Sequence, residues 1–337
     1  MKLSEFDYAL PKELIAQYPA KRRGDDRLLV VDRKKKNFSE KRFADIAHYF
    51  QKGDTLVLND TKVIPARIFG KRKTGGKVEI FVLDAAKNPA EALVRPSGRI
   101  KEGEVVTLDS GRMATVLERS EIGRFVEFEG GTADAIKECG HMPLPPYISR
   151  PDEPEDSRRY QTVYARSEGA TASPTAGLHF TEDALEALRQ KGVGISYITL
   201  HVSYGTFAPV KEEEVEKHRM HSEFYRISKN NVIMLSNALM KKAKIFACGT
   251  TSLRALEACV ERINKPDGIE GATSLFIYPG YVFKIAGGLI TNFHLPKSTL
   301  LLLTSAFCGR ELIFKVYDYA IKNKFRFFSY GDAMLII

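Results

Sequence analysis

The sequence predicts an α/β protein: a large α/β domain with a mixed sheet, interrupted by an inserted small antiparallel β-barrel domain. The chain has 337 residues, a length at which a single core usually gives way to more than one domain. Over residues 67–128, six short strand patterns follow one another with little helix between them, as in small barrels. After that stretch strand and helix patterns alternate, which indicates a sheet covered by helices.

The barrel prediction rests on alternation and on its flanking prolines. Lys77–Val82 and Arg124–Phe128 alternate apolar and polar residues, as half-buried strands do. Met142–Tyr147 contains three prolines, which resist both helix and ladder and so form a stiff linker. We therefore predict that 1–66 and 147–337 form a discontinuous α/β catalytic domain and that 67–146 form the inserted barrel. The six predicted strands are 67–69, 77–83, 92–94, 104–108, 113–117 and 124–128.

The α/β part contains a clear helix and several shorter signals. Thr181 is placed to cap a helix that Gly192 ends, with acidic residues in its first turn and basic residues in its last. Runs of apolar residues predict the other elements. The predicted strands are 55–58, 194–202, 243–247, 275–278 and 289–291, with a final pair from 325–328 and 334–337; the further helices are 253–263, 298–308 and 311–323.

Composition narrows the class of partner. The formal net charge of +9 favours a polyanion such as nucleic acid, because neutralising phosphates releases counterions. The longest apolar run, Leu300–Leu303, is too short for a membrane span, and the N-terminus has no apolar signal segment. None of the four cysteines are spaced as CxxC, which indicates free thiols in a reducing compartment. We expect a cytoplasmic protein with no membrane contact.

Polar clusters follow the predicted strands at the point where each strand ends. Ligands of α/β sheets bind beyond the carboxyl ends of the strands, so these clusters are expected to meet in one pocket. The clusters are Asn59–Asp60, His201–Thr206, Gly249–Ser252, Asn292–His294 and Ser329–Asp332.

The segment Gly249–Arg254 is the strongest single candidate for a binding site. A strand, a glycine, a hydroxyl triplet and a helix start together present backbone N–H groups and the positive end of a helix dipole. A carboxylate or phosphate can rest there; the alternative is simple N-capping by Thr250 or Thr251. Neither a Walker pattern nor a GxGxxG fingerprint occurs, which argues against ATPases and ordinary dinucleotide enzymes.

Histidines supply the candidate acid–base groups. His179 lies in a loop of small residues, 172–181, where it can serve as a general base or a hydrogen-bond donor; the alternative is a structural histidine, the commoner role of an isolated histidine. His218, His221 and Glu223 form a possible metal cluster, yet their spacing matches neither HExxH nor a deaminase signature. We predict no metal and keep a metal-dependent hydrolase as an alternative.

Seven segments, together with the opening from Phe6–Tyr8 to Arg27–Leu28, carry a combined signature. They are Leu144–Ile148, Tyr160–Ala165, Pro174–Thr181, Gly205–Val210, Gly249–Arg254, Thr291–Leu301 and Phe327–Ile336. In this order, over the whole chain, they resemble the S-adenosylmethionine:tRNA ribosyltransferase-isomerase (QueA) family of queuosine biosynthesis. The family has a β-barrel inserted in an α/β domain, in agreement with the prediction above.

The resemblance implies a reaction. Such enzymes transfer and isomerise the ribosyl moiety of S-adenosylmethionine onto 7-aminomethyl-7-deazaguanine at the wobble position of tRNA with a GUN anticodon. The products are epoxyqueuosine-tRNA, adenine and methionine. S-adenosylmethionine is a consumed substrate, so we expect no cofactor, and we expect a monomer.

Mechanistic roles follow from that reaction as hypotheses. The sulfonium acidifies the ribose 5′ protons, so a base must remove one, and His179 and His201 are the candidates, oriented by Asp60 or Asp332. The Gly249, Thr250, Thr251 and Ser252 turn is expected to hold the methionine carboxylate. Further expected substrate contacts are Thr175, Arg254, Asn292 and His294, with stacking by Phe180, Phe207 and Tyr330; the expected tRNA contacts are Arg67, Lys71, Arg72 and Arg95.

Two positions depart from the family's pattern, and other classes stay open. Tyr204 stands where the family usually has a small residue, and Gly287 where it often has an aspartate, which we expect to be dispensable. A non-catalytic tRNA-binding module would release no adenine from S-adenosylmethionine. An ordinary methyltransferase would instead form S-adenosylhomocysteine.

Overall fold

The computed structural model describes residues 1–202, 212–265 and 267–337. Its strands are β1 (Arg27–Asp32), β2 (Asn37–Arg42), β3 (Thr55–Asn59), β4 (Thr61–Val63), β5 (Arg67–Arg72), β6 (Lys77–Val82), β7 (Ala90–Arg95), β8 (Glu104–Leu108), β9 (Met113–Arg119), β10 (Arg124–Phe128), β11 (Gly140–His141), β12 (Ser167–Ala170), β13 (Gly194–Leu200), β14 (Glu223–Ile227), β15 (Ile245–Cys248), β16 (Ile269–Thr273), β17 (Ala286–Asn292) and β18 (Ala333–Ile336). Its α-helices are α1 (Thr132–Cys139), α2 (Asp156–Arg159), α3 (Glu182–Gln190), α4 (Lys229–Met240), α5 (Gly249–Cys259), α6 (Thr299–Cys308) and α7 (Arg310–Lys322).

Nine strands form one mixed sheet in the order β16-β14-β13-β3-β15-β17-β18-β1-β2. The central strands β13, β3, β15 and β17 are parallel to one another, so their carboxyl ends share one edge. Strand β18 runs antiparallel to β17 and parallel to β1, and it joins the β1–β2 hairpin to the rest of the sheet. The predicted mixed sheet is confirmed.

Both faces of this sheet are covered, which explains its nearly continuous apolar strands. Side chains alternate between the faces: Val57 packs on the side of α4 to α7, whereas Leu56 and Leu58 pack on the side of α3. All five residues of β3 and all four of β15 are buried. Strands buried on both faces read as apolar runs rather than as alternating patterns.

The six predicted barrel strands close into an antiparallel barrel. Strands β5, β6, β7, β10, β9 and β8 pair in that order, and β5 also pairs with β8 through Gly70 and Leu108. Apolar side chains such as Ile80 and Val116 fill the interior, and Ile136 of α1 packs against them. The barrel is confirmed, whereas the domain boundaries at 66/67 and 146/147 stay a prediction.

Several predicted elements are corrected by the structure. Helix α5 begins at Gly249, not at Leu253, so the hydroxyl triplet forms its first turn. Residues 275–278 form no strand; the strand at this point is β16, which pairs with β14. Residues 325–328 also form no strand: Phe325 and Phe327 are buried core aromatics, and Phe327 makes only an isolated bridge with Ile15. Short apolar runs do not by themselves distinguish strand from core loop.

No α-helix among the described residues is long and apolar enough to cross a membrane.

Gly288 of β17 makes a close approach to the ring of Phe246 inside the sheet. A Cβ at Gly288 would lie 2.6 Å from Cε1 of that ring. Phe246 cannot move aside easily because it is fully buried and packs on Phe50, with ring centroids 4.2 Å apart. At the neighbouring Gly287, the nearest atoms to a Cβ would be the side chain of Lys244 at 3.4 Å and the carbonyl oxygen of Ile245 at 3.7 Å.

We predict that Gly288→Ala lowers the free energy of unfolding by about 1–3 kcal/mol, because overpacking forces the ring off its position. The matched control Gly287→Ala should change it by less than about 0.5 kcal/mol. Adding Phe246→Leu to Gly288→Ala should cost less than the sum of the two single changes. Urea unfolding measures all four variants, and equal effects at both glycines would contradict the proposed steric cause.

Candidate active site

A cavity of about 280 Å³ opens at the carboxyl edge of the large sheet. This volume is close to the lower end of the range for small-molecule pockets, roughly 300–1,000 Å³. Its walls come from the start of α5, the segments 173–176 and 291–300, and the turn at 328–329. Tyr147 and Val202 complete the described lining.

The start of α5 supplies hydrogen-bond donors to this cavity. Gly249 has φ +87°, a left-handed conformation that favours glycine and lets β15 turn directly into the helix. The helix has no side-chain cap, so backbone N–H groups of its first turn lack the usual partner. The hydroxyls of Thr251 and Ser173 are buried, line the cavity and have no hydrogen-bond partner. This corner of the cavity is therefore suited to an anionic group.

Asn292 is the central polar side chain of the site. Its amide nitrogen donates to the carbonyl oxygen of Phe328 at 3.1 Å and to Nε2 of His179 at 3.0 Å. Its amide oxygen accepts from the hydroxyl of Thr175 at 3.1 Å. Because a carbonyl can only accept, the contact with Phe328 fixes which way the amide points.

His179 lies behind Asn292, outside the cavity lining. Since Nε2 accepts from Asn292, the ring proton is on Nδ1, which donates to Asp26 at 2.8 Å. Asp26 also accepts from Arg326 at 2.6 Å. Burial opposes ionisation of Asp26, but the contacts with His179 and Arg326 outweigh it and lower the pKa of the carboxyl. Both ring nitrogens of His179 are thus engaged.

The turn that carries Phe328 and Ser329 into the cavity is strained and firmly held. Phe328 has φ +70°, a conformation that bulky residues rarely adopt and that costs about 1–3 kcal/mol. Asp332 accepts from the backbone N–H group of Arg27, at the start of β1, at 3.0 Å. It also accepts from the backbone N–H group of Arg326, just before the turn, at 2.8 Å. Burial raises the pKa of Asp332, although those N–H groups act in the opposite sense.

Tyr147, Phe328 and His294 contribute ring side chains to the lining of the cavity. Tyr147 packs on Phe328 with centroids 4.7 Å apart, and the Tyr147 hydroxyl lies 2.5 Å from that of Ser329. His294 is the only histidine among the described lining residues, and its Nε2 lies 2.8 Å from the hydroxyl of Thr291. Burial lowers the pKa of His294 to about 3, so this ring is neutral near pH 7.

Six of the predicted site residues line this cavity, and others lie elsewhere. Gly249, Thr250, Thr251, Thr175, Asn292 and His294 come together in its wall. Ser252 is buried next to them with an unpartnered hydroxyl. His179 and Asp332 support the wall from behind. Phe207 and Tyr204 lie outside the described residues.

Asp60 and His201 belong to a separate polar group at the end of β3 and β13. Asp60 accepts from the Thr199 hydroxyl at 2.6 Å and from Arg166 at 2.5 Å. Nδ1 of His201 lies 2.8 Å from the Thr61 hydroxyl. Burial lowers the pKa of His201, and the charge of Asp60 opposes that shift. None of these residues is among the described lining of the cavity.

Three predicted substrate contacts are engaged in the interior instead. Phe180 is fully buried and packs edge-on against Phe43. The Tyr330 hydroxyl donates to Asp156 at 2.7 Å. Arg254 forms a buried ion pair with Glu223 below α5.

The predicted tRNA contacts all lie on the barrel. Arg67 pairs with Glu79 at 3.1 Å and donates to the carbonyl of Leu144 at 3.0 Å. Arg72 pairs with Glu104 at 2.5 Å. Lys71 and Arg95 are exposed, and Arg95 lies beside Arg67 at a small pocket.

The possible metal cluster is not assembled. His218 contacts Glu212 at 3.0 Å, while Glu223 faces Arg254. In the part of the chain that the structure describes, no group of three His, Cys, Asp or Glu side chains is placed to hold a metal ion.

Sequence reasoning did not single out Ser173, Tyr147, Phe328 or, behind the wall, Asp26, whereas Ser329 belongs to the cluster predicted at 329–332. Tyr147 ends the proline-rich linker, and Phe328 directly precedes the predicted cluster Ser329–Asp332. Their proximity to noted motifs was a usable signal. Asp26 offered none, because it lies 153 residues from His179 in the sequence.

Comparison with known sequences identifies a family along nearly the whole chain. A family model described as queuosine biosynthesis protein matches residues 3–336. The S-adenosylmethionine:tRNA ribosyltransferase-isomerase of Halothermothrix orenii is 49% identical over 343 residues, with 100% of both chains covered. The protein of the same name from a Sulfurihydrogenibium species is 49% identical over 340 residues, again with 100% of both chains covered.

A solved structure shows the same similarity. The crystal structure of the S-adenosylmethionine tRNA ribosyltransferase from Thermotoga maritima matches with a TM-score of 0.58 and 35% identity. The match covers 99% of this chain and 100% of that chain.

The ionised Asp26 predicts a pH-dependent contribution to stability. Because its pKa is lowered from 3.8 by folding, its contribution is present above that value and is lost as the pH falls through the lower folded-state pKa. Asp26→Asn should therefore cost about 1.5–3 kcal/mol at pH 7, the range for a hydrogen bond to a charged group, and less near pH 3. Urea unfolding between pH 3 and pH 7 measures the difference.

Asp109→Asn, which changes an exposed carboxylate on the barrel, is the matched control and should stay within about 0.5 kcal/mol throughout. A penalty for Asp26→Asn that is the same at pH 3 and pH 7 would exclude the ionised carboxylate as its source.

Proposed function

This chain belongs to the queuosine biosynthesis protein family, and we infer from this that it is an enzyme that transfers and isomerises the ribosyl moiety of S-adenosylmethionine onto tRNA. The acceptor in this proposal is the amine of 7-aminomethyl-7-deazaguanine at the wobble position of a GUN anticodon. The products are epoxyqueuosine-tRNA, adenine and methionine. One observation in the structure carries the proposal: a cavity at the sheet edge that combines an uncapped helix start with aromatic rings.

The uncapped start of α5 is suited to the carboxylate of the methionine moiety. Its free N–H groups and the helix dipole favour a negative group, and the unpartnered hydroxyls of Thr251 and Ser173 add two donors. A buried hydroxyl without a partner costs free energy until a ligand satisfies it. Binding energy at this end, remote from the reacting carbon, orients the ribose for reaction.

Tyr147 and Phe328 are suited to stack on a nucleobase. Their rings line the cavity, and the strained turn holds Phe328 in place. Either adenine or the extruded deazaguanine presents a flat face that such rings recognise. We propose these two residues for the role first predicted for Phe180 and Tyr330, which are packed in the interior.

Proton removal from the ribose 5′ carbon requires a base that is available in the bound state. His294 has a pKa of about 3, so it acts as a neutral hydrogen-bonding partner rather than as the proton acceptor. His179 positions Asn292 through its engaged Nε2. His201 lies beside segment 203–211, which is outside the described residues. The choice of His179 or His201 as base therefore stays a prediction.

In the proposed reaction S-adenosylmethionine is consumed as a substrate, and no cofactor is needed. We propose that the protein acts as a monomer in the cytoplasm. The metal-dependent hydrolase is not favoured, since Glu223 pairs with Arg254 and the described part of the chain brings no three candidate ligands together.

The direct test mixes the purified protein with S-adenosylmethionine and tRNA that carries the aminomethyl base. We expect free adenine, methionine and an epoxyqueuosine-containing nucleoside in equal amounts, detected by mass spectrometry. tRNA with unmodified guanine at the wobble position, which lacks the amine, is the control. Formation of S-adenosylhomocysteine would indicate a methyltransferase, and tRNA binding without adenine release would indicate a non-catalytic module.

The carboxylate site is tested with Thr251→Val and Ser173→Ala. Each should raise KM for S-adenosylmethionine by roughly ten- to a hundredfold, since a hydrogen bond to a charged group contributes about 1.5–3 kcal/mol. Ser305→Ala removes another buried, unpartnered hydroxyl that does not line the cavity, and it should leave KM unchanged. Normal KM values in both Thr251→Val and Ser173→Ala would indicate that the carboxylate binds in another part of the cavity.

A further inference from the structure

A second, strongly basic cleft lies outside the reaction cavity. It has a volume of about 520 Å³ and is formed by the segment before β1 and by the end of α2. Five cations line it, with neutral residues 161–163 between them. The cations are Lys21, Arg22, Arg23, Arg158 and Arg159.

Two of these guanidinium groups are held in place by backbone carbonyls. Arg23 donates to Leu178 at 3.0 Å and to Gln161 at 2.9 Å. Arg159 donates to Ala20 at 2.6 Å and to Lys21 at 3.3 Å. Burial, and next the nearby charge of Arg159, lower the pKa of Arg23. The fold therefore holds like charges together at a cost, which an anion in the cleft would relieve.

Acidic residues neutralise this cluster only in part. Asp25 pairs with Arg22 at 3.1 Å, and Glu155 pairs with Arg158 at 3.3 Å and with Arg159 at 3.6 Å. Both carboxylates are exposed, and exposed pairs contribute little and exchange readily. Among the residues of the cleft and their direct partners, five cations against these two carboxylates leave an excess of three positive charges. Asp26 also acts on Arg23, but its charge is offset by its ion pair with Arg326. The barrel differs, because Arg67 and Arg72 each have a half-buried carboxylate partner.

A small pocket shares residues with both the basic cleft and the reaction cavity. Arg23 and Arg159 line this pocket as well as the cleft. Ser329 also lines it and is part of the wall of the reaction cavity. The basic cleft therefore lies close to the reaction cavity, as the phosphates of a polynucleotide lie close to its extruded base.

We propose that this basic cleft binds the phosphodiester backbone of the tRNA beside the nucleotide that enters the reaction cavity. The proposal rests on the tRNA-modifying function proposed above and assigns the contact to residues 21–23 and 158–159. Arginines are suited to the task because they bind phosphate in a bidentate manner. The barrel cations Lys71 and Arg95 then contribute less to tRNA affinity than the cleft does.

The test compares two triple variants of equal charge change. Lys21→Gln/Arg22→Gln/Arg158→Gln removes the exposed cations of the cleft and leaves Arg23 and Arg159, which the fold uses. Lys34→Gln/Lys35→Gln/Lys36→Gln removes three cations from the turn between β1 and β2, at the opposite edge of the sheet. Lys71→Gln tests the barrel. Thermal unfolding confirms that each variant is folded.

Binding of unmodified tRNA is measured by fluorescence anisotropy between 50 and 300 mM salt, which requires no turnover. We expect the cleft variant to bind roughly tenfold more weakly near 150 mM salt, with a log Kd–log salt slope reduced by about 2. The other two variants should bind within about threefold of the unsubstituted protein. Inorganic phosphate is the competitor that distinguishes a free-anion site from a polymer site, and it should compete only at a concentration far above that of tRNA.

The outcomes separate this inference from the proposed function. Equal tRNA affinities and salt slopes in the cleft and control variants overturn the cleft assignment, whatever the enzyme assay gives. Tight binding of inorganic phosphate that leaves tRNA binding unaffected also overturns it. If the unsubstituted protein releases no adenine while the cleft variant still loses tRNA affinity, the reaction is wrong and the RNA contact stands.

Discussion

A buried chain of polar contacts from Arg326 through Asp26 and His179 to Asn292 is the constraint on which the site depends. It joins four segments that are far apart in sequence: the segment between α7 and β18, the residue before β1, the loop before α3 and the end of β17. Each member uses its hydrogen-bonding groups on the next, so the amide of Asn292 has one orientation. The amide nitrogen of Asn292 also donates to the carbonyl of Phe328, so the same chain of contacts holds the cavity wall at this point.

The cavity follows from the topology of the sheet combined with this chain. Parallel strands β15 and β17 bring their carboxyl ends to one edge, where α5 starts at Gly249 without a side-chain cap. A site made in this way offers donors that are fixed before a ligand arrives, which is the condition for electrostatic stabilisation in a low-dielectric pocket. The strain at Phe328 is maintained because Asn292 and Asp332 hold the turn. In the proposal above, the rigid cavity binds the small substrate and the basic cleft binds the tRNA backbone, so the two substrates are recognised by different parts of the protein.

The sequence was sufficient for the parts of the fold that repeat a local pattern. Alternation predicted the barrel strands, and the glycine followed by hydroxyl residues predicted the start of α5 as a binding corner. Side-chain direction was not predictable, since it depends on packing between distant segments: Arg254 was expected to face a ligand, and the helix turns it towards Glu223. Phe180 resembled a stacking residue but is a core residue. The role of Asp26 could not be predicted, because only the folded sheet places this residue beside His179.

The position of β18 in the large sheet has a consequence for biosynthesis. This strand is made last among the described elements, yet it lies inside the sheet, between β17 and β1. Until it leaves the ribosome, β1 and β17 each present an unpaired edge, and the turn with Phe328 is not anchored. The barrel has all its strands much earlier and can fold while translation continues. Before β18 is added the protein therefore has no complete substrate pocket, and its open apolar edges make it most dependent on chaperones.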